Sequence, residues 1–349
     1  MRDWRRLWWI GRLGAAAAML VLIMAGGSAP PGSARPLPNL ALPTLGGLQF
    51  WADRYLYGGW RLQENVLTGH VRLLDPANIR RCWGRYETCR AAFERMRGEF
   101  GIAPYSGHLV VLLHGLGRSR DSMTGLESAL RADGWQVATI GYPSTRRGLA
   151  ANADRIEALV GDLEGVDRIS FVTHSLGGLL VRELLSRDAE WRHRIAVDSA
   201  VMIAPPNQGA AIADALQYVP PINLVLGHGL LAATAASARR LPVPDLPIGI
   251  VAAGRGGIGY NPFLPGDDDL LVRIAETRLD GAADWVQVHS AHTFAMDQPE
   301  TVAAVENFLR YRRFTAPESV TPQPSIPNAA TRSPQLTNPA SVSSPSVTP

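Results

Sequence analysis

The chain has 349 residues, 46% of them hydrophobic and 19% charged, with a formal net charge of +3. These values are ordinary for a soluble globular enzyme, and the basic residues are scattered, which argues against nucleic-acid binding. Every basic residue counted as lysine or arginine is an arginine, so Ser–Lys dyads, lysine Schiff bases and Walker-type phosphate loops are excluded.

The N-terminal segment, residues 1–34, has the pattern of a secretion signal. Several arginines precede an apolar run from Ala15 to Met24, and small residues follow, ending at Ala34. This order predicts a signal peptide and an exported protein, either periplasmic or secreted. The apolar run is short for a transmembrane helix. An uncleaved N-terminal anchor, with association at the membrane surface, is the alternative.

Residues 35–106 form an N-terminal extension ahead of the main domain. Apolar and polar residues alternate in Trp60–Leu62 and in Val71–Leu73, on either side of Thr68–Gly69. This pattern predicts a β-hairpin. Residues 87–100 then show helical spacing. We interpret the extension as the first strands of the sheet plus a helix.

Cys82 and Cys89 are the only cysteines in the chain. In an exported protein, two cysteines seven positions apart most simply form a disulfide that closes a small loop. The alternative is a pair of unpaired thiols in a helix. Two ligands alone do not make a structural zinc site.

The main domain is predicted over residues 107–314, where apolar strands alternate with helices. The predicted strands include Leu109–Leu113, Trp135–Ile140, Arg168–Val172, Ser199–Ile203, Ile248–Ala252 and Trp285–Val288. This alternation predicts an α/β fold with a mostly parallel central sheet and helices on both faces. Residues 315–349 are rich in proline, serine and threonine, and a disordered tail is predicted there.

The stretch Phe171–Gly178 passes from a buried strand into a helix through Ser175. A serine on such a turn, flanked by small residues, has the pattern of a nucleophile elbow. Gly177 and Gly178 satisfy the need for small neighbours, whereas Thr173 satisfies it less well. The alternative is a serine that caps a helix after a strand. As a nucleophile Ser175 needs a base, and histidine is the natural one in a chain without lysine.

The chain resembles the α/β-hydrolases, most closely their bacterial lipase and inositol-deacylase branch. The resemblance covers roughly residues 107–314 and rests on motifs at strand ends, which are His114–Gly117, Tyr142–Ser144, Thr173–Gly178, Pro205–Gly209 and His292–Phe294. It implies the α/β-hydrolase fold and a chain order of serine, acid and histidine.

Within that order, the resemblance selects Asp269 as the acid and His292 as the base. His292 begins a His-Thr-Phe motif in the loop after the last strand, whereas the alternative, His289, directly adjoins the strand. Asp269 lies three positions before a valine, as the family's acid usually does, and Asp268 is the alternative. The acid would orient the imidazole and stabilise its protonated form.

The backbone N–H groups of Leu116 and Leu176 are predicted to form the oxyanion hole. No metal-ligand motif is present, and the predicted reaction requires no cofactor. The connection over about residues 210–245 is apolar and is interrupted by prolines and a glycine, which predicts a short cap. We expect Leu224 and Leu230 to line an acyl pocket beneath it. Packing of these residues on the sheet is the alternative.

Together these features predict a serine hydrolase that cleaves carboxylic esters, with a small-molecule or lipid ester as its substrate. The reaction would pass through an acyl-enzyme on Ser175. An acyltransferase would use the same intermediate, and a catalytically silent hydrolase fold that only binds ligands belongs to a different class. Both remain alternatives to the hydrolase.

Overall fold

The computed structural model describes residues 42–43 and 48–316. The predicted signal segment 1–34 lies outside these residues, as does the predicted tail from residue 317 onward. The described residues divide into two compact units, the first ending at Pro104 and the second beginning at Tyr105. Among the described residues, no helix has the length and apolar character needed to cross a membrane.

The first unit is built on an antiparallel sheet in the order β1-β5-β4-β3-β2, packed against one helix. Tyr55, Leu62 and Phe93 are among its buried core residues. The strands and helix are β1 (Leu42–Pro43), β2 (Trp51–Tyr57), β3 (Trp60–Asn65), β4 (Val71–Leu74), β5 (Ile79–Gly84) and α1 (Tyr86–Phe100).

The predicted hairpin is confirmed, because β3 and β4 pair antiparallel with Leu62 opposite Leu73. The interpretation of this region as the first strands of the main sheet is wrong. Short connections such as Gly58–Gly59, where both glycines have positive φ, join these strands into successive antiparallel pairs. Their ladder hydrogen bonds are therefore made within their own sheet.

The predicted disulfide is not formed in this structure. Cys82 on β5 and Cys89 on α1 are both buried and free. Their sulfur atoms lie 3.0 Å apart, which is longer than the S–S bond of about 2.05 Å. The Cys89 thiol instead donates a hydrogen bond to the Cys82 sulfur, and this bond lowers the pKa of Cys82 to about 7. The sequence therefore predicted the proximity of the pair and not its covalent state.

The second unit contains a six-stranded, entirely parallel sheet in the order β11-β10-β9-β8-β6-β7. This arrangement, flanked by helices, confirms the predicted α/β fold. Its strands are β6 (Gly107–Leu113), β7 (Gln136–Ile140), β8 (Val166–His174), β9 (Ala196–Ile203), β10 (Ile248–Gly254) and β11 (Asp284–His289). The ends of each strand lie within three residues of the predicted ends, because continuous apolar runs mark buried parallel strands.

The helices of the second unit follow the strands in the predicted alternation. They are α2 (Thr124–Ala132), α3 (Leu149–Gly161), α4 (Leu176–Leu185), α5 (Ala211–Leu216), α6 (Pro220–Ala232), α7 (Ala235–Ala238), α8 (Ile274–Thr277) and α9 (Pro299–Tyr311). Since parallel strands end at one edge of the sheet, the loops after β6, β8, β10 and β11 converge there, which is where α/β proteins place their ligands.

The predicted cap corresponds to α5, α6 and α7, which connect β9 to β10. Pro220 occupies the first turn of α6, where a missing N–H costs nothing. Gly227 interrupts the same helix with φ 49° and ψ −132°, a conformation open to glycine and strained for other residues. The expectation that proline and glycine divide this apolar connection into short pieces is therefore confirmed.

Candidate active site

Ser175 lies on the sharp turn between β8 and α4, as predicted. Its backbone adopts φ 53° and ψ −121°, a strained conformation for a residue with a side chain. Two hydrogen bonds hold the turn: the Ser175 N–H donates to the Ile203 carbonyl at 2.8 Å, and the Ser175 carbonyl accepts from the Gly178 N–H at 2.9 Å. These contacts fix the serine at the edge of the sheet.

Small residues are required around this turn. A Cβ atom on Gly177 would lie 2.7 Å from the Leu113 carbonyl oxygen, which is closer than real contacts allow. A Cβ atom on Gly115 would approach the His174 ring at 2.9 Å and the Ser175 Cβ at 3.1 Å. Gly177 therefore lets α4 approach β6, and Gly115 lets the loop after β6 reach the serine.

Ser175, His292 and Asp269 form a continuous hydrogen-bonded chain. The Ser175 Oγ lies 2.8 Å from His292 Nε2, and His292 Nδ1 lies 2.7 Å from Asp269 Oδ2. Because a carboxylate only accepts, Nδ1 carries the proton and Nε2 is left to accept from the serine hydroxyl. All three side chains are buried, with Asp269 fully enclosed. This arrangement can transfer the serine proton to the imidazole.

Asp269 is held by the backbone of its own loop. Its Oδ1 accepts the N–H groups of Leu271 and Val272 at 3.0 and 2.8 Å, and its carbonyl accepts the His292 N–H at 2.7 Å. The intervening Leu270 has φ 93°, which marks strain beside the acid. These bonds leave Oδ2 directed at the imidazole.

The two alternatives from the sequence have other contacts. Asp268 is also buried, but its Oδ1 accepts the N–H groups of Asn261 and Leu270, and its Oδ2 has no hydrogen-bond partner among the described residues. His289 is exposed, and its Nδ1 lies 3.2 Å from the Arg255 carbonyl. The structure thus brings together Asp269 and His292 and not the alternatives.

Leu116 and Leu176, whose N–H groups are predicted to form the oxyanion hole, both line the cavity beside Ser175. Leu176 opens α4, where unpaired N–H groups and the helix dipole favour negative charge. In the part of the chain that the structure describes, neither N–H donates a hydrogen bond. The neighbouring Gly117 N–H donates to the buried Ser144 Oγ at 3.0 Å, which anchors this loop. Sequence analysis did not assign Ser144 a role.

Two neutral histidines support the site. The His174 Nε2–H donates to the His292 carbonyl at 2.9 Å. Burial, together with the proximity of His292, holds the pKa of His174 well below its ordinary value. His114 stacks on Tyr142 and donates from Nδ1 to the Gly115 carbonyl. Burial lowers the pKa of His114 to about 4. Both rings are therefore uncharged at neutral pH, and they hold the neighbouring loops through hydrogen bonds.

A cavity of about 250 Å³ lies beside Ser175. Most of its lining is apolar and comes from the cap and the adjoining loops: Leu116, Leu176, Pro206, Ala210, Ile212, Ala213, Leu216, Leu226, Leu230, Ala233, Leu271 and Val272. Leu230 lines the cavity as predicted, whereas the Leu224 side chain lies outside what the structure describes. The polar lining consists of Arg118, His174, Ser175, His292 and Thr293. Sequence analysis did not single out Arg118, although it directly follows the His114–Gly117 motif.

No cluster of metal-ligating side chains occurs among the described residues. Comparison with protein families matches residues 104–203 to a family described as "Putative serine esterase (DUF676)". This stretch contains the loop after β6 and the turn bearing Ser175. The parallel six-stranded sheet and the strained serine turn between β8 and α4 give this protein the α/β-hydrolase fold. The family match supports the activity of a carboxylic ester hydrolase.

Several solved structures are similar to this protein. The mature lipase BlEst2 of Bacillus licheniformis shares 16% identity, with a TM-score of 0.47, over 58% of this chain and 91% of the lipase. The metagenomic carboxyl esterase MGS0156 shares 20%, with a TM-score of 0.43, over 60% of this chain and 78% of that one. The phospholipase PlaB of Legionella pneumophila shares 17%, with a TM-score of 0.40, over 49% and 45%. A search among curated sequences found no match.

Proposed function

We propose that this α/β-hydrolase is an exported serine esterase that cleaves lipid or other acyl esters through an acyl-enzyme on Ser175. The observation that carries the proposal is the hydrogen-bonded chain from Ser175 through His292 to Asp269, placed at the wall of an apolar cavity. The match of residues 104–203 to serine esterases supports the same chemistry.

In the proposed reaction, Ser175 Oγ attacks the acyl carbonyl while His292 Nε2 takes the hydroxyl proton. Asp269 keeps the imidazole in the tautomer that accepts this proton and stabilises the cation that forms. The N–H groups of Leu116 and Leu176 stabilise the oxyanion of the tetrahedral intermediate. His292 then returns the proton to the leaving alcohol as the acyl C–O bond breaks. Water deacylates the serine by the same route.

The substrate class follows from the cavity. Its lining from the cap and adjoining loops is almost entirely aliphatic, so it favours an acyl chain over a polar group. A volume of about 250 Å³ lies just below the range of about 300–1,000 Å³ that is common for drug-sized ligands. We therefore assign the cavity to a short or medium acyl chain.

Export is the part of the proposal that rests on sequence alone. The pattern of residues 1–34 supports a secretion signal, and an uncleaved anchor at the membrane surface is its alternative. An enzyme for lipid esters would meet its substrate at a membrane or in the exported fraction.

The purified protein should be treated with a fluorophosphonate probe, alongside the Ser175→Ala variant. Labelling that is lost in Ser175→Ala, together with release of free acid from an ester, supports the proposed hydrolase. Absence of labelling and turnover in folded wild-type protein would indicate a binding module. Labelling with transfer of the acyl group to an added alcohol, in place of free acid, would indicate an acyltransferase.

A further inference from the structure

The cavity beside Ser175 has one feature that an enzyme for simple neutral esters does not need. Arg118 is the only permanently charged residue among those lining it, and no carboxylate lines it. We propose that Arg118 is a specificity residue that binds an anionic group, a phosphate or a carboxylate, on the alcohol portion of the ester. This inference rests on the proposed function and adds the class of alcohol to it.

The position of Arg118 assigns it to the alcohol side. Its Nη2 lies 3.5 Å from the carbonyl oxygen of Thr293, the residue directly after His292. In the proposed reaction, the leaving oxygen must lie beside His292 Nε2, because that atom returns the proton. A guanidinium next to the His292 loop is therefore near the alcohol, a few bonds beyond the leaving oxygen.

The acyl chain has a separate place. Cap residues Ile212, Leu216 and Leu230 line the cavity with aliphatic surface, and an anionic group there would lose its hydration without compensation. The cavity is therefore lined both by aliphatic side chains, suited to the acyl chain, and by one cationic side chain, Arg118. An ester with an apolar acid and an anionic alcohol matches both.

The chemistry of arginine fits this role better than a structural one. A guanidinium presents its N–H donors in a planar fork that binds phosphate or carboxylate through paired hydrogen bonds. The contact with the Thr293 carbonyl, at 3.5 Å, is at the outer limit of a hydrogen bond. The Arg118 charge also acts on protein groups outside the cavity lining, since burial raises the pKa of Asp297 and the Arg118 charge opposes that rise. Within the cavity lining it faces no carboxylate, so an anionic ligand group would find a cationic partner there.

The test compares esters that differ only in charge. Hexanoylglycerol and hexanoylglycerol-3-phosphate form one pair, and the methyl ester of hexanoyloxyacetate and free hexanoyloxyacetate form a carboxylate pair. The readout is the ratio of kcat/KM for the anionic ester to kcat/KM for its neutral partner, measured at low and high salt. A third pair, 4-nitrophenyl hexanoate and the 4-nitrophenyl monoester of adipic acid, places the anion on the acyl side.

We expect wild-type enzyme to favour the anionic alcohols, with the larger ratio identifying phosphate or carboxylate as the preferred group. Arg118→Gln should lower that ratio by about 10- to 100-fold, the range of a charge-assisted hydrogen bond. Arg118→Lys should retain part of it, and high salt should reduce it. Arg240→Gln removes an exposed positive charge away from the cavity, and should leave the ratio as in wild type.

The outcomes that overturn the inference are distinct from failure of the proposed function. A wild-type ratio near one, or a preference only for the acyl-side anion, contradicts the alcohol-side assignment. Equal losses on neutral and anionic esters in Arg118→Gln would make Arg118 a brace for the His292 loop. If no ester is turned over and Ser175 is not labelled, the proposed esterase itself is wrong.

Discussion

Asp268 and Asp269 are adjacent in sequence, yet their carboxylates have separate tasks in the structure. Asp269 Oδ2 contacts the His292 ring, whereas Asp268 Oδ1 accepts two backbone N–H groups of its own loop. The other oxygen of Asp268 has no hydrogen-bond partner within the described part of the chain. A pair of isosteric substitutions can therefore test whether Asp269 is the catalytic carboxylate of the proposed reaction and Asp268 a structural one.

We expect Asp269→Asn to lower kcat by about 10³- to 10⁴-fold, because an amide at this position favours the wrong imidazole tautomer. Asp268→Asn should lower kcat by less than about 10-fold, since its effect would fall on the stability of the loop. Steady-state kinetics on one soluble ester, with unfolding curves for both variants, measures the difference. A larger kcat loss in Asp268→Asn would move the acid to that residue.

The second prediction at this scale concerns pH. His114 has a pKa of about 4 in the folded protein because it is buried, whereas an unfolded histidine has a pKa of about 6.5. Between these values the unfolded chain binds the extra proton, so the free energy of unfolding rises with pH. One such group contributes about 1.4 kcal/mol per pH unit at most.

Denaturant unfolding between pH 4 and about pH 6.5 measures this slope. We expect His114→Gln to reduce the slope of the unfolding free energy against pH by up to about 1.4 kcal/mol per pH unit, which corresponds to one proton. Replacement of the exposed His193 by glutamine serves as the control. Parallel stability curves for wild type and His114→Gln would contradict the assignment of a buried, neutral His114.

Some site residues were predictable from local sequence and others were not. Ser175 and His292 occupy motifs that can be read within a few positions, and Asp269 could be placed from the resemblance. Ser144 lies in the Tyr142–Ser144 motif, but that motif does not indicate which group its hydroxyl contacts, and Arg118 belongs to no motif. Their proximity to Gly117 and Thr293 spans 27 and 175 positions along the chain, so only the folded structure reveals it.

At the scale of elements, the loop after β6 that carries Leu116, the turn after β7 and the cap helix α6 are packed against one another. Ser144 on the turn accepts the Gly117 N–H, and its carbonyl faces Gly229 on α6. A Cβ atom on Gly229 would lie 2.2 Å from that carbonyl and 2.3 Å from the Leu116 side chain. The loop that contains Leu116 is thus held by a hydrogen bond to Ser144 and by close packing against Gly229.

We expect Ser144→Ala to lower kcat by about 10-fold with little change in KM, because the loop would present the Leu116 N–H less firmly. A trifluoromethyl ketone, which forms an oxyanion on binding, should lose affinity by a similar factor. Ser199→Ala removes another fully buried hydroxyl, one bonded to Ser170 and Asp198, and is the control for general destabilisation. Equal kinetic effects in the two variants would contradict the positioning role.

The cap supplies a prediction on chain length. Leu230 is buried and lines the cavity, whereas its neighbour Leu231 is 40% exposed and does not line it. With wild-type enzyme, kcat/KM should rise from acetyl toward medium-chain esters, since each buried methylene contributes about 0.8 kcal/mol. Leu230→Ser should flatten this rise and Leu231→Ser should preserve it. Either a wild-type preference for acetyl esters or a uniform loss in Leu230→Ser would contradict an acyl pocket at Leu230.

Element boundaries in the second unit follow closely from the sequence because buried parallel strands are long, apolar and separated by amphipathic helices. The first unit was harder to predict. The hairpin of β3 and β4 had a clear alternating pattern, but nothing local distinguishes a strand of a separate sheet from an outer strand of the main one. That choice depends on which partner completes the hydrogen bonds.

At the scale of the whole molecule, the absence of lysine makes the N-terminus unusually informative. The α-amino group is the only aliphatic primary amine that a chain without lysine can carry. An amine-reactive reagent should therefore label one position. If residues 1–34 are removed on export, the labelled terminal peptide begins at Arg35.

Intact mass and sequencing of the labelled peptide, on protein from the exported fraction, tests this prediction. Expression of a variant with the apolar run Ala15–Met24 interrupted by arginines is the control, because it should retain residue 1 and stay in the cell. A wild-type protein that keeps its first residues and sediments with membranes would indicate the uncleaved anchor instead.

The strained backbone of Ser175 has a consequence for how such a domain evolves. Residues held in this part of conformational space raise the energy of the folded state by about 1–3 kcal/mol, a large share of the stability of a typical domain. Here the hydrogen bonds to Ile203 and Gly178 retain the turn whatever side chain occupies it. Glycine at position 175 would therefore relieve this strain, and it is the proposed nucleophilic role that requires serine there.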